Sequence, residues 1–421
     1  MGPFHGLTVV EFGRFIAAPY CGQLMADGGA DVIKVEPLHG DDARRNGTRL
    51  SATEARQFLN KNRGKRSIAV KLSDATVRRA LRRLLDRTDV VIANFRPGQA
   101  EDLGLDYDTL AVTNPRLIYA ENTGFGKRGP LRHKAGMDTV LQAYTGLAPV
   151  GANGPVPLND PVIDYTAAML MAWGIATALY DRERRGSGQR LDVSLLQAAL
   201  VLQNNSINHI DAVDGWRNDF VDYLKRAFQD GRSFADVLAH RNTVKPVIEP
   251  PYYGVFQAQD GLLALAAGGR GLQRRAVAVL GVDDPALARD GFVPEDIAAH
   301  TRAMRGKVAV AIRARPVAHW LAEFERVSVP AGPVLLKDQV LDDEQVLAND
   351  YLVRLDHEQV GGMTVVAPPV KFSATPLASV APSPVLGRHT CEVLAQAGVD
   401  AGDIEAMVSR GAVVAAPDGA Q

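Results

Sequence analysis

The longest apolar stretch of the chain is residues 166–180, where every side chain is apolar or small, and Pro161, Val162, Ile163, Asp164 and Tyr165 lead into it. A turn former and an acidic residue ahead of such a run are helix-start signals, so the pattern predicts a buried helix opening at Asp164. Asp164 would there accept hydrogen bonds from the first free N–H groups and sit at the positive end of the helix, which favours its ionised form. Two roles fit that position: a helix cap or a nucleophile. The run is shorter than the roughly 20 residues a membrane span needs, so a core helix is expected and no membrane partner.

Ahead of this helix, short apolar runs alternate with segments of helical periodicity. Residues 7–12, 31–35, 68–72, 89–93 and 117–122 read as buried strands, while 19–27, 74–87 and 102–112 read as helices. In 74–87 the apolar positions Val77, Leu81, Leu84 and Leu85 share one face, and four arginines form the other. Apolar strands separated by helices predict an α/β fold with a parallel sheet covered on both faces. Such sheets bind ligands at the carboxyl ends of their strands. That singles out the turn holding Arg14, Phe15, Ile16 and Ala17, and the turn Asn94, Phe95, Arg96, Pro97, Gly98. Neither contains GxGxxG, which argues against a dinucleotide cofactor.

Polar segments sharpen the list. Residues 36–56 read as a long loop. Lys61, Arg63, Lys65 and Arg66 crowd four cations before the third strand; the expectation is a solvated loop, with a phosphate site as the alternative. Asp138 has the same helix-opening look as Asp164. A strand at 190–193 and a helix capped by Ser194 close the first body. Residues 211–250, charged and jointed, read as a crossing linker. A second body starts near Tyr252 with a hairpin, and the segment from Gly268 to Gly271 is a turn or a mobile lid. Residues 351–360 and 363–366 read as an antiparallel pair, and the residues from Ala415 are expected to fray.

Composition removes several functions. With 47 basic and 48 acidic residues there is no global field for nucleic acid or an anionic membrane. Two cysteines, Cys21 and Cys391, imply no disulfide framework and point to a reducing cytoplasm. No basic segment followed by an apolar core opens the chain, so no secretory signal is expected. The nine histidines form no metal-ligand pattern.

Taken together, residues 6–12, 17–19, 24–36 and 65–68, the turn Asn94 to Gly98, residues 114–119, Gly124-Phe125-Gly126, residues 161–167, 329–334 and 368–373 resemble the class III CoA-transferase family, also called CaiB/BaiF. That resemblance implies a Rossmann-like large domain built from both ends of the chain, a smaller α+β domain, and an interlocked homodimer of ring-like subunits. The layout becomes 1–210 for the first part of the large domain, 211–250 for the linker, 251–328 for the small domain and 329–421 for the return. It makes Asp164 the nucleophile on an acyl-CoA thioester, passing through an aspartyl anhydride and an aspartyl-CoA thioester. Coenzyme A is then a substrate and not a permanently bound cofactor. Its contacts would come from Arg14, Phe15, Ile16, Ala17, Val70, Asn94 and Phe95, with Lys61, Lys65, Lys71, Arg96 and Lys134 available for its phosphates. Pro37, Ser73 and Asp102 replace cations found in some members. The family's 2-methylacyl-CoA racemases carry histidine where this chain has Met137, which cannot exchange a proton, so transferase is the preferred reading over racemase. A nicotinamide-dependent oxidoreductase and a non-catalytic CoA-binding module are the remoter alternatives. Met137, Tyr144 and Tyr165 are candidates for an acyl pocket.

Overall fold

A computed structural model describes residues 1–151, 154–245, 249–288, 293–378 and 381–416. The expected βαβ start forms as β1 (Thr8–Phe12), α1 (Ala17–Asp27) and β2 (Asp31–Glu36). Then come β3 (Arg66–Val70), β4 (Val90–Ala93) and β5 (Ile118–Thr123). With Gln189–Ser194 and a short strand Val413–Val414 they make one seven-stranded sheet, whose spatial order runs from Val413–Val414 through β3, β2, β1, β4 and β5 to Gln189–Ser194. All pairings are parallel except that of Val413–Val414 with β3. The chain builds outward from β1 through β2 to β3, then returns to lay β4 on the other side of β1. The strand order therefore reverses between β1 and β4, and a crevice at their carboxyl ends is where such sheets take ligands.

Successive strand residues point to opposite faces, and both faces are apolar. Val9, Val32, Val90 and Ile92 pack against Cys21 and Met25 of α1 and against Ala168, Met171 and Ile175. Val10, Ile33, Val35, Ile68 and Val91 pack against Val77, Leu81 and Leu84 of the helix Ala75–Leu85, and against Val393 and Leu394. This double burial is why the strands read as continuous apolar runs. The helix expected at 102–112 is two short ones, Gln99–Leu103 and Tyr107–Ala111, because Gly104 takes a left-handed conformation between them at φ 65°.

The helix bearing Asp164 spans Val162–Arg185, 24 residues, and so starts before Asp164 and outruns the apolar stretch. By length and composition it could cross a bilayer, which corrects the expectation from run length. Ile163, Ala167, Ala168, Met171, Ile175 and Ala178 are nonetheless buried in the protein core, and near its end Arg182 pairs with Asp89 at 3.0 Å.

The charged run before β3 is not a solvated loop. Lys61, Asn62, Arg63 and Lys65 are all 4% exposed or less. Lys65 Nζ lies 2.6 Å from Glu11 Oε2 and donates to the Pro19 carbonyl and Asn62 Oδ1. Arg63 forms a two-pronged pair with Asp27. On the neighbouring strand, buried Lys34 bonds Glu11 at 2.8 Å and Asp41 at 3.0 Å, and donates to the Gly13 carbonyl at 2.7 Å. Arg44, fully buried over the Phe58 ring, holds Glu36 and Glu54. These charges cross-tie the β1–β3 edge internally, so Lys65 is a counter-ion of Glu11 and not a free phosphate ligand.

Contacts divide the chain into two compact units, residues 1–208 with 345–421, and residues 209–344. In the first, the C-terminal segment pairs Val413 with Val70 and Val414 with Ala69, and a hairpin of Leu352–His357 with Gly361–Val366 realises the expected antiparallel pair. In the second, the segment read as a linker holds the helices Trp216–Gln229 and Phe234–Val244. The hairpin Tyr253–Gln257 and Leu262–Ala266 extends to Ala331–Pro333, over a core of Phe256, Leu263, Val308, Ile312, Trp320 and Phe324. Within the segment 268–271, Gly269 precedes the helix Arg270–Leu280.

Candidate active site

The reversal point is built by two loops that hold each other. Arg14 N–H donates to Asn94 Oδ1 at 3.0 Å, and Asn94 Nδ2 donates back to the Arg14 carbonyl at 2.9 Å. One asparagine at the end of β4 thereby reproduces a strand pairing where the strands have stopped. Phe15 then adopts φ 64°, a left-handed conformation that is uncommon for a bulky residue. Its N–H donates to Asp41 Oδ1 at 3.2 Å, and the Arg14 guanidinium pairs with Asp42 at 2.6 Å. Backbone strain held by neighbours in this way concentrates at functional sites.

A cavity of about 440 Å³ opens against these loops, and Asp164 is in its wall. Of the residues singled out from the sequence, Arg14, Phe15, Ile16, Asn94, Phe95, Arg96, Lys134 and Met137 line it with Asp164. Ala17, Val70 and Lys71 do not. Ala17 starts α1 and is buried against Leu141 and Ile163. Val70 is 1% exposed because the Val413–Val414 strand pairs with that end of β3, and the Lys71 N–H donates to the Ala412 carbonyl beside it. Tyr144 and Tyr165 are also outside the wall: Tyr144 packs edge-on to Phe125, and Tyr165 edge-on to Tyr20 at 4.8 Å. Sequence reading missed Asp42, Asn46, Gln57, Asn122, Arg132 and Leu195 in the wall. Asp42 and Asn46 lie in the stretch taken for a plain loop, and Gln57 lies just past its end. Asn122 had a signal, since it is an amide ending a mostly apolar strand, and its buried Oδ1 has no hydrogen-bond partner among the described residues.

Two glycines let the Asp138 segment reach the sheet. A Cβ on Gly124 would stand 2.6 Å from both the N and Cα of Gly136, so the backbones touch there. That contact sets Met137 and Asp138 beside the Asp164 helix. Asp138, rather than Asp164, is the cap of that helix: its Oδ2 accepts from the N–H groups of Ile163 at 2.8 Å and Asp164 at 3.0 Å. Its other oxygen accepts from Gln142. The Asp164 carboxylate is left with no hydrogen-bond or ion-pair partner among the described residues, and it faces the cavity.

Electrostatics reverse the expectation that Asp164 is simply ionised. Burial pushes its acidity down, the Asp138 charge pushes the same way, and Lys61 opposes both, so the carboxyl titrates at about 7. Desolvation and a like charge outweigh the helix N-terminus. The cation side of the cavity is different: Arg96, Arg132 and Lys134 are exposed at its rim with no side-chain partner among the described residues. The arrangement can hold anionic groups at the rim and present a bare carboxylate inside.

The Asp138 assignment is testable. Asp138→Asn keeps an oxygen for the two N–H groups and removes the charge beside Asp164, so Asp164 should ionise at lower pH in a ¹³C carboxylate titration. Asp138→Ala loses the cap and should cost roughly 1 kcal/mol in thermal unfolding. An unchanged Asp164 titration in Asp138→Asn would contradict the like-charge account.

Comparison with known proteins finds relatives along nearly the whole chain. The family described as CoA-transferase family III matches residues 4–390. The chain is 34% identical over 414 residues to a succinate–glutarate CoA-transferase of Agrobacterium fabrum, covering 94% of this chain and 95% of that one. It is 33% identical over 379 residues to an acetyl-CoA:oxalate CoA-transferase of Acetobacter aceti, covering 88% and 90%. Among solved structures, a CaiB/BaiF family protein of Brucella suis superposes with a TM-score of 0.72 at 29% identity, covering 94% of this chain and 99% of that one.

Proposed function

The chain belongs to CoA-transferase family III and is a CoA-transferase, and from that premise we propose that Asp164 is its nucleophile, exchanging CoA between an acyl-CoA thioester and a free carboxylic acid. The observation that carries this reading is the carboxylate itself: it lies in the cavity wall while Asp138 takes over the capping. A carboxylate spared from hydrogen bonding keeps its lone pairs for attack.

In the proposed sequence an Asp164 oxygen adds to the thioester carbonyl carbon. The C–S bond breaks, leaving a mixed anhydride and CoA thiolate. The thiolate then attacks the aspartyl carbonyl, forming an aspartyl-CoA thioester and releasing the donor acid as its carboxylate. The acceptor acid takes CoA by the reverse steps, and the free aspartate returns. Arg96, Arg132 and Lys134 at the rim suit the phosphates of coenzyme A, while Arg14 is already paired with Asp42. Phe15, Ile16 and Phe95 suit its apolar body. Met137 is in the wall and His133 is not, so no histidine stands at the position a racemase would use.

The test is intact-protein mass spectrometry after mixing with acyl-CoA donors and hydroxylamine. Acetyl-CoA and succinyl-CoA are the first donors and oxalate and glutarate the first acceptors, following the named relatives. A hydroxylamine-trapped adduct on the Asp164 peptide is expected; its absence with every donor, together with exchange of the acyl α-proton, would favour the racemase.

We also propose a homodimer of cytoplasmic enzyme, with the interlocked arrangement of the family. Met169, Trp173 and Tyr180 lie on one exposed side of the Asp164 helix, 51–70% accessible, and three large apolar groups in line mark a surface that another chain covers. Light scattering should give twice the mass of the chain, and a stable monomer would oppose it.

A further inference from the structure

Five buried basic residues of the described chain, Lys34, Arg44, Arg63, Lys65 and Arg182, each have a carboxylate within ion-pair distance. Lys61 is buried to 2% exposure and has none among the described residues. Its ammonium donates to the neutral oxygens of Gln57 at 2.9 Å and Asn60 at 2.8 Å, and lies 6.0 Å from the centroid of the Tyr165 ring. Gln57 is in the cavity wall, and Tyr165 follows Asp164 directly. An uncompensated ammonium under a reaction cavity is costly unless an anion shares its field.

We propose that Lys61 is the counter-charge of the chemistry at Asp164, a positioning residue that favours the ionised nucleophile and the negative charge that leaves it. This rests on Asp164 being the nucleophile. In the sequence of steps above one negative charge moves from the Asp164 carboxylate to the CoA thiolate, and then to the released acid carboxylate. No proton is transferred, so the site calls for a cation rather than a general acid. Lys61 supplies it without touching the carboxylate, which leaves both Asp164 oxygens free to attack.

The surrounding charges support the assignment. Asp164 and Asp41 are the charges that act on Lys61, while burial pulls its ammonium down to about 8. Asp138 and Lys61 are the charges that act on Asp164, in opposite directions, with the Tyr165 hydroxyl on the same helix raised by burial. The enzyme should then work best between the two titrations: below about 7 Asp164 is protonated, and above about 8 Lys61 is neutral.

The experiment measures single-turnover formation of the hydroxylamine-trapped adduct against pH in wild type, Lys61→Met and Lys61→Arg, each checked for folding by circular dichroism. In Lys61→Met the acid limb should move up by about one pH unit or more, since a unit charge some ångströms away at an effective dielectric near 20 is worth that much. In Lys61→Arg it should stay near wild type, and the decline above pH 8 should disappear because guanidinium does not titrate there. Lys61→Gln, which keeps a donor for Gln57, replaces the methionine variant if that one does not fold. An adduct on Asp164 with the same acid limb in wild type and in the uncharged variant overturns the counter-charge role alone. No adduct on Asp164 in wild type overturns the nucleophile, and this inference with it.

Discussion

Asp164→Ala is expected to lower CoA transfer by on the order of 10⁴-fold or more and to abolish the trapped adduct, with the fold unchanged. The first effect follows from removing the atom proposed to form the covalent bond. Asp138 is the carboxylate whose charge acts on Asp164, but both its oxygens are engaged, one on Ile163 and Asp164 and the other on Gln142. The unchanged fold follows from the same bonds, because the helix cap stays when Asp164 goes. Wild-type adduct formation should rise about tenfold per pH unit below 7 and level off between about 7 and 8, where Lys61 begins to lose its charge, since Asp164 is raised to about 7 and only its ionised form attacks. Transfer within tenfold of wild type in Asp164→Ala would remove the nucleophile assignment, and full activity at pH 5 would remove the electrostatic account of it.

The second large effect is on stability. Glu11→Ala should destabilise the protein by roughly 3–5 kcal/mol, the usual cost of leaving a buried charge without its partner. Glu11 faces two buried ammoniums, Lys34 at 2.8 Å and Lys65 at 2.6 Å, all with side chains at 0% exposure. Removing it leaves Lys34 with Asp41 and leaves Lys65 with no ion pair. Urea unfolding reads the loss, and a change under 1 kcal/mol would show that the lysines are neutralised some other way. Because Lys34 also holds the Gly13 carbonyl, ahead of Arg14 and Phe15, KM for the acyl-CoA should rise while the rate at saturation changes less.

Both results bear on what could be read from one dimension. The parallel sheet was legible because its strands are apolar on both faces and its helices on one. The edge where the cavity opens was legible too, since Arg14 and Asn94 follow strands that end at the reversal point. What went wrong was charge. Lys61, Arg63 and Lys65 look like any solvated basic run, because Asp27 and Glu11, the partners of Arg63 and Lys65, lie 36 residues or more away in the chain. Asn94 looked like a ligand and is first a clamp on the Arg14 backbone.

Asp164 shows the division most clearly. Its place at the start of the longest apolar helix was plain in the chain, and the family resemblance implied the role proposed for it. Whether it capped that helix or stood free depended on Asp138, brought in from 26 residues earlier by the Gly124–Gly136 contact. Its acidity depended on Asp138 and Lys61 together. Local periodicity decides which residues form a helix or a strand, because helix hydrogen bonds and side-chain burial repeat at short range. Hydrogen-bond partners, desolvation and neighbouring charges decide what a carboxylate does, and those are set only when distant segments pack.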